Sequence, residues 1–308
     1  MTKIILDCDP GHDDAVAMLL ALASPELQVL GITTVYGNVG LENTTHNALA
    51  VRELARSEVP VYAGADRPLV RERISAEAVH GASGLDGPLL PSPSRGVEEG
   101  HAVQFIIDSV LASPGEVTLV PTAALTNLAL AMRLEPRIVP AIKEIVVMGG
   151  SLDSGNWTPS AEFNILCDPH AAKVVFGAGV PLVMFGLNAT HQTPATPERV
   201  ERFRQLGTRM GEFTAQLLEF FREHHEERYG WNGAPIHDAC TVAYLLRPDL
   251  FRTASYFVDV EVNEGLAYGR TVCDVWRVTG RAPNAEVALD VNVEGFYDLL
   301  VERIGRYP

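Results

Sequence analysis

Four carboxylates stand close together near the start of the chain. They are Asp7, Asp9, Asp13 and Asp14, in the stretch Leu6-Asp7-Cys8-Asp9-Pro10-Gly11-His12-Asp13-Asp14. Asp13 and Asp14 suit the first turn of a following helix, where unpaired N–H groups and the helix dipole favour negative charge. Capping and solvation therefore account for two acids, not four. No Lys or Arg occurs from Ile4 to Val51, so no local salt bridge balances the charge. A bound cation is the simplest remedy, and an all-oxygen set suits a hard ion, Ca²⁺ or Mg²⁺.

Two further stretches carry chemistry. Gly155 to Asn164 contains Asn156, Glu162 and Asn164, amide and carboxylate groups with no positive charge among them. Such groups read sugar hydroxyls well, because each donates or accepts in a defined geometry; alone, they would equally suit a polar surface loop. Ile236-His237-Asp238-Ala239-Cys240 precedes an apolar helix, Ala239 to Leu246. Asp238 could be a plain N-cap there. His237 is a side chain that ordinarily titrates near neutral pH, a natural proton donor.

The elements that position these groups follow from the apolar runs. Ile4 to Leu6 predicts a buried strand, with Asp7 and Asp9 on one side of its extension. Pro10-Gly11 marks a turn, and Ala15 to Leu22 a helix. Strands are predicted at Leu27–Val35, Val59–Tyr62, Val117–Val120, Glu144–Met148 and Pro181–Phe185. Helices are predicted at Leu41–Arg56, Glu98–Leu111, from Ala123, and at Asp168–Phe176. A Gly/Pro/Ser-rich stretch, Gly64 to Gly96, contains Val79-His80-Gly81, and long irregular segments in compact domains are often functional. Met210, Phe213, Leu217, Phe220 and Phe221 form a stripe at helical spacing that reads as core. His224 and His225 follow on a charged, solvated helix end, and Tyr229-Gly230-Trp231 suits a mobile flap. Tyr256–Val262 and Gly269–Trp276 alternate more and suit a late, partly antiparallel pair.

Strand then helix recurs, and the strands are continuous apolar runs. This predicts an α/β fold: an open, mostly parallel, Rossmann-like sheet with helices on both faces, in one domain over residues 1–308. Ligands of such sheets sit beyond the carboxyl ends of the strands. The polar residues there are Asp7, Asp9, Asn38, Thr122 and the segment after Met148.

Composition narrows the partners. The 308 residues carry a formal net charge of −15, which argues against nucleic acid or an anionic membrane surface. No apolar run approaches the ~20 residues needed to span a bilayer, and the opening residues do not resemble a signal peptide. Cys8, Cys167, Cys240 and Cys273 are scattered and form no C-x-x-C pair. They read as small buried groups in a reducing compartment, so a soluble cytoplasmic protein is expected.

The first turn closely resembles the Asp-x-Asp-x-Gly-x-Asp-Asp signature of the inosine–uridine-preferring nucleoside hydrolases, matched here by Asp7, Asp9, Gly11, Asp13 and Asp14. Later segments match that family in order along nearly the whole chain. The resemblance implies a calcium-dependent hydrolase that cleaves the N-glycosidic bond of ribonucleosides, of the inosine, uridine and cytidine type, to free base and ribose. It implies a Ca²⁺ site made by Asp9, Asp14, the backbone carbonyl of Thr122, and Asp238. Ribose hydroxyls and a water would complete the 6–8 oxygens that Ca²⁺ prefers. It also implies Asp13 on a ribose hydroxyl, Asn38 orienting water or ribose, and Met148 lining the sugar pocket. Asn156, Glu162 and Asn164 would surround the ribose, with His80 near the base. Asp7 would support these groups without binding the ion. Asp9 would accept the proton of the attacking water, and His237 would protonate the departing base. His191 follows a strand and would stand behind the pocket. Family members form dimers or tetramers, so a homodimer or homotetramer is expected. The purine-specific branch is known for tryptophans around the base; the corresponding positions look like Val79 and His237. This points to broad or pyrimidine-leaning choice, although Trp231 could still stack on a base.

Three rival readings are weaker. A Mg²⁺ phosphohydrolase must hold phosphate, usually with Lys, Arg or backbone nests. The stretches Ile4–Val51, Glu144–Ala172 and Tyr229–Leu246 contain no Lys or Arg. A non-enzymatic, calcium-dependent nucleoside or sugar binder would not need His237 beside so many acids. A dinucleotide enzyme would show Gly-x-Gly-x-x-Gly after the first strand, and none is present.

Overall fold

The structure is a computed structural model that describes residues 1–307. Its centre is an eight-stranded sheet, and among the described residues two short two-stranded sheets stand beside it. In chain order the strands are β1 (Thr2–Cys8), β2 (Leu27–Thr34), β3 (Val61–Ala63), β4 (Val117–Pro121), β5 (Glu144–Met148), β6 (Leu182–Phe185), the short pair β7 (Pro194–Ala195) and β8 (Ala234–Pro235), then β9 (Phe251–Tyr256), β10 (Val258–Val260), β11 (Thr271–Cys273) and β12 (Ala285–Val291). The sheet order is β3-β2-β1-β4-β5-β6-β12-β9. All neighbours are parallel except β12 and β9. The expected open, mostly parallel sheet is therefore present.

Period-2 alternation explains why the strands are apolar throughout. Ile4 and Leu6 of β1 enter one core while Ile5 enters the other. On β6, Val183 and Phe185 go one way and Leu182 and Met184 the other. Both faces are covered. The first core takes the helices His12–Leu22, Arg209–Tyr229, Ala239–Leu246 and Val293–Ile304; the second takes Ala102–Ala112, Thr126–Leu134 and Pro169–Phe176.

Local chemistry sets the helix ends. Pro169 opens its helix, and Asp168 caps it by accepting from the Ala171 N–H. Gly230, at φ 68°, ends the long helix in the left-handed conformation that costs glycine least.

The late antiparallel pair is shorter than expected: Val258–Val260 pairs with Thr271–Cys273. The C-terminal strand β12 and its partner β9 were not anticipated as strands. Among the described residues, no helix is long and apolar enough to cross a membrane.

From β1 the chain runs outward to β2 and β3, then returns to the other side of β1 for β4, β5 and β6. The strand order thus reverses between β1 and β4. Such a switch point leaves a crevice beyond the strand ends, the usual ligand position in open α/β sheets. Asp7 pairs in register with Pro121, so Asp9 and Thr122 flank that crevice.

Candidate active site

The turn after β1 folds back on itself through Asp14. Its Oδ2 accepts from the Gly11 N–H at 3.0 Å, and its Oδ1 from the Thr122 hydroxyl at 2.8 Å. Asn38, beyond the end of β2, closes the other side. Its main-chain N–H donates to Asp9 Oδ2 at 2.7 Å, and its side-chain amide to the Asp9 carbonyl at 3.0 Å and Asp14 Oδ2 at 3.3 Å. Gly37 must be glycine here, because a Cβ would fall 1.9 Å from Asp9 Oδ2.

Asp238 arrives from the far end of the sequence. It precedes the helix Ala239–Leu246 but makes no side-chain cap. Its carboxylate instead joins those of Asp13 and Asp14, oxygens of all three lying within 4.8 Å of one another. Asp9 Oδ1 is buried with no hydrogen-bond partner. Burial pushes all four carboxyls up, and the charges of their neighbours add to this at Asp9, Asp13 and Asp238. Four buried carboxylates with an open oxygen and no cation beside them are what a hard metal ion would satisfy. The residues fit such an ion.

Asp7 lies behind this group. Its Oδ1 accepts from the Thr33 hydroxyl at 2.6 Å and the Asn127 amide at 2.8 Å, and burial raises its pKa to about 7.

Over the acids lies a cavity of about 370 Å³, within the range of small-molecule sites. Its acid and amide side is made by Asp13, Asn38, Thr122, Glu162, Asn164 and Asp238. Asn164 donates to the Thr122 carbonyl at 2.9 Å and contacts both the carbonyl and the sulfur of Met148 at 3.3 Å. Glu162 caps the helix Phe163–Cys167, accepting from Asn164 N–H at 2.8 Å and Ile165 N–H at 3.1 Å, and takes Gly150 N–H at 2.9 Å. Burial raises its pKa to about 7. The Asn156 side chain accepts from Phe163 N–H at 3.0 Å. The opposite wall is aromatic, with His80, Phe221, His225, Trp231 and His237. Among the described residues, no Lys or Arg lines the cavity. A floor of oxygens under an aromatic wall suits a polyhydroxylated sugar carrying a flat, uncharged base.

Residues 4–298 match the family described as inosine-uridine preferring nucleoside hydrolase. The chain belongs to the nucleoside hydrolase family. It is 48% identical over 305 residues to a protein of Escherichia coli (strain SMS-3-5 / SECEC) named pyrimidine-specific ribonucleoside hydrolase RihB, covering 99% of this chain and 97% of that one. Solved structures agree. A purine-preferring ribonucleoside hydrolase from Gardnerella vaginalis superposes with TM-score 0.92 at 37% identity, over 98% of both chains. A plant nucleoside hydrolase, PpNRh1, gives 0.91 at 35%, again over 98% of both. This nucleoside hydrolase is accordingly an enzyme of N-glycosidic bond cleavage.

Every cavity residue expected from the sequence comes to this one place: Asp13, Asn38, His80, Thr122, Met148, Asn156, Glu162, Asn164, His237 and Asp238 all line it. Asp9 and Asp14 sit beneath, held by Asn38 and Thr122. Several expectations of the nucleoside hydrolase site need correction. His225 is not solvated; it is buried, lines the cavity and bonds the Phe221 carbonyl at 3.0 Å. Phe221 belongs to the core stripe and also forms the cavity wall. His191 lines the cavity itself, its ring 5.6 Å from that of His237. His237 does not titrate near neutrality: burial, then the nearby His191 and His225, hold its pKa well below the ordinary range. Its Nδ1 meets the Thr190 hydroxyl at 2.7 Å. Sequence reasoning missed His12, Trp157, Thr190 and the Thr33–Asn127 support of Asp7. None of these left a usable trace, but the place of His225 did, one helical turn after Phe221 on the same face.

Proposed function

We propose that this nucleoside hydrolase is a Ca²⁺-dependent, pyrimidine-leaning ribonucleosidase acting on nucleosides of the uridine, cytidine and inosine type. The observation that carries the metal is Asp9 Oδ1, buried and unpartnered beside a three-carboxylate cluster. Asp9, Asp14, the Thr122 carbonyl and Asp238 would hold the ion. When bound, it supplies positive charge that neutralises the acids and lowers the pKa of water beside it.

The chain's own residues do the rest. Asp13, Asn38, Met148, Asn156, Glu162 and Asn164 orient the ribose, with the acids and amide oxygens facing its reacting carbon. Breaking the N-glycosidic bond builds positive charge there, and these fixed oxygens stabilise it. Asp9 accepts the proton of the attacking water. His80 lies near the base. With its Nδ1 held by the Thr190 hydroxyl, His237 gives its Nε2 proton to the departing base as an imidazolium and returns to the neutral ring that its buried surroundings favour.

Pyrimidine choice is supported by the name of the Escherichia coli relative and by Val79 and His237 standing where purine-specific enzymes are expected to place tryptophan. We also read the chain as one domain over residues 1–308, working as a cytoplasmic homodimer or homotetramer without nucleic-acid or membrane partners. Strands from both ends of the chain share one sheet, and the net charge of −15 repels a phosphate backbone. The free cysteines suit a reducing compartment.

The test is release of free base with Ca²⁺ present. Uridine and cytidine should give a kcat/KM at least tenfold above inosine. A preference for inosine would overturn the pyrimidine choice, and no release from any ribonucleoside would overturn the function.

A further inference from the structure

His12 stands between the two acids Asp9 and Asp13 in sequence but turns away from both. It is fully buried, packed face to face with Phe220, Phe221 and His80, with ring centroids 5.2 to 5.3 Å apart. Its Nε2 lies 2.9 Å from the Asp86 carbonyl oxygen and its Nδ1 lies 3.1 Å from Nδ1 of His80.

The direction of these bonds follows from what each atom can do. A carbonyl oxygen only accepts, so the His12 proton sits on Nε2. Nδ1 of His12 is then a lone pair, and the short contact requires His80 to donate from its own Nδ1. The carboxylate of Asp86 is engaged elsewhere, by Ala82 N–H and the Ser83 hydroxyl, so no anion among the ring's partners calls for a second proton on His12. The main-chain N–H of His12 also points at His80 Nδ1, but from 3.4 Å. As the first N–H of its helix, it is a donor that commonly lacks an intrahelical partner. The two shorter contacts decide the arrangement.

We propose that His12 is a positioning residue that fixes His80 in its Nδ1–H tautomer, so that the bare Nε2 of His80 faces the cavity as an acceptor for an N–H or O–H of the bound nucleoside. His80 lines the cavity, and its Nδ1 edge is taken by His12, which leaves the Nε2 edge for a ligand. The loop that carries Asp86 is tied to the catalytic turn independently. Asn47 donates to the Pro10 carbonyl at 3.0 Å and the Ser83 carbonyl at 2.8 Å. The Asp86 carbonyl is thereby held where His12 needs it. The donor's identity rests on the nucleoside reading above; the tautomer does not.

The test has two parts. The ¹⁵N shifts of the His80 ring, in the unliganded wild-type protein, report which nitrogen is protonated. The expected result is Nδ1, and protonation at Nε2 overturns the proposal. His12→Asn keeps an acceptor near the old Nδ1 position and should keep the tautomer. His12→Phe keeps the ring stack without the acceptor and should lose it; an unchanged His80 spectrum in His12→Phe overturns the role of His12. The wild-type spectrum decides the tautomer even if His12→Phe fails to fold. In steady-state kinetics, His12→Phe should raise KM for uridine about 3- to 10-fold, the usual size of one hydrogen bond, with kcat changed less than about twofold. His12→Asn should restore it. N3-methyluridine lacks the base N–H and 5′-deoxyuridine lacks the 5′-hydroxyl. Whichever analogue no longer responds to His12→Phe identifies the donor. If both respond as uridine does, neither the base N–H nor the 5′-hydroxyl, the donors left once the acid floor holds the other two hydroxyls, meets Nε2 and that half of the proposal falls, while base release itself stands.

Discussion

The main-chain N–H of Asn38 donates to Asp9 Oδ2 at 2.7 Å, which leaves Oδ1 of the same carboxylate buried and without a partner. An ionised oxygen in that position is costly unless a cation meets it. Chelation should therefore abolish activity and lower thermal stability. Ca²⁺ at ~100-fold over its dissociation constant should restore ~2.7 kcal/mol. Asp9→Asn removes the ligand charge and the proton acceptor together, so it should lose nearly all turnover and weaken Ca²⁺ binding measured by calorimetry. Full activity and an unchanged melting temperature in chelator would exclude the ion.

The cavity's oxygen floor implies a demand on the sugar. Asp13, Asn38, Glu162 and Asn164 offer more polar partners than one hydroxyl can use. A 2′-deoxynucleoside should lose turnover as well as affinity, because contacts that strengthen in the transition state act on kcat. Comparing uridine with 2′-deoxyuridine measures this, and equal kcat would contradict the placement of the ribose on this floor.

His237 can be tested by choice of leaving group. His237→Ala should slow uridine hydrolysis ~10²- to 10⁴-fold, the usual worth of general acid catalysis. A riboside that releases a stable phenolate needs no proton and should slow far less. General damage to the site, or loss of the ion, would slow both alike. Equal slowing with Ca²⁺ binding intact would remove His237 from the role.

His225 sets a pH dependence of stability. Burial lowers its pKa from the ordinary 6.5 to about 4. Above pH 6.5 the ring is neutral in both folded and unfolded chains, and its full contribution is present. Between 6.5 and 4 the unfolded chain takes up a proton that the folded chain refuses, so stability is lost as pH falls. The loss reaches ~3 kcal/mol near pH 4. His225→Gln cannot titrate. Its stability deficit against wild type, from denaturant midpoints, should shrink by ~2–3 kcal/mol between pH 7.5 and pH 4.5. A constant deficit would mean that His225 is not held neutral.

Much of the sheet was readable because a strand buried on both faces must be apolar at every position. Glu144–Met148 has the expected bounds, as does the helix Ala239–Leu246. The edge formed by β9 and β12 was not readable. Glu286 and Asp290 interrupt β12, and β9, the antiparallel edge strand beside it, is nowhere fully buried and needs no continuous apolar run. The acid turn was readable because its charges have no local cation. That Asp13 joins Asp14 and Asp238 as the close triplet, with Asp9 held apart by Asn38, depends on main-chain geometry that residue types do not encode. The aromatic wall was least readable. Phe221 and His225 continue an apolar stripe, and whether such a stripe meets another helix or a cavity is decided by elements distant in sequence.

β12 is inserted between β6 and β9, so β9 has no sheet partner until a segment made some thirty residues later arrives. During synthesis, residues 251–256 are made before residues 285–291 exist. Until β12 is in place, β6 has one unpaired edge and β9 has both of its own. Unpaired edges template contacts with other chains. The aggregation risk therefore turns on the last strand of the chain, made after every residue of the acid cluster. Any change that delays or loosens the docking of β12 would lengthen that exposure while leaving every residue of the acid cluster in place.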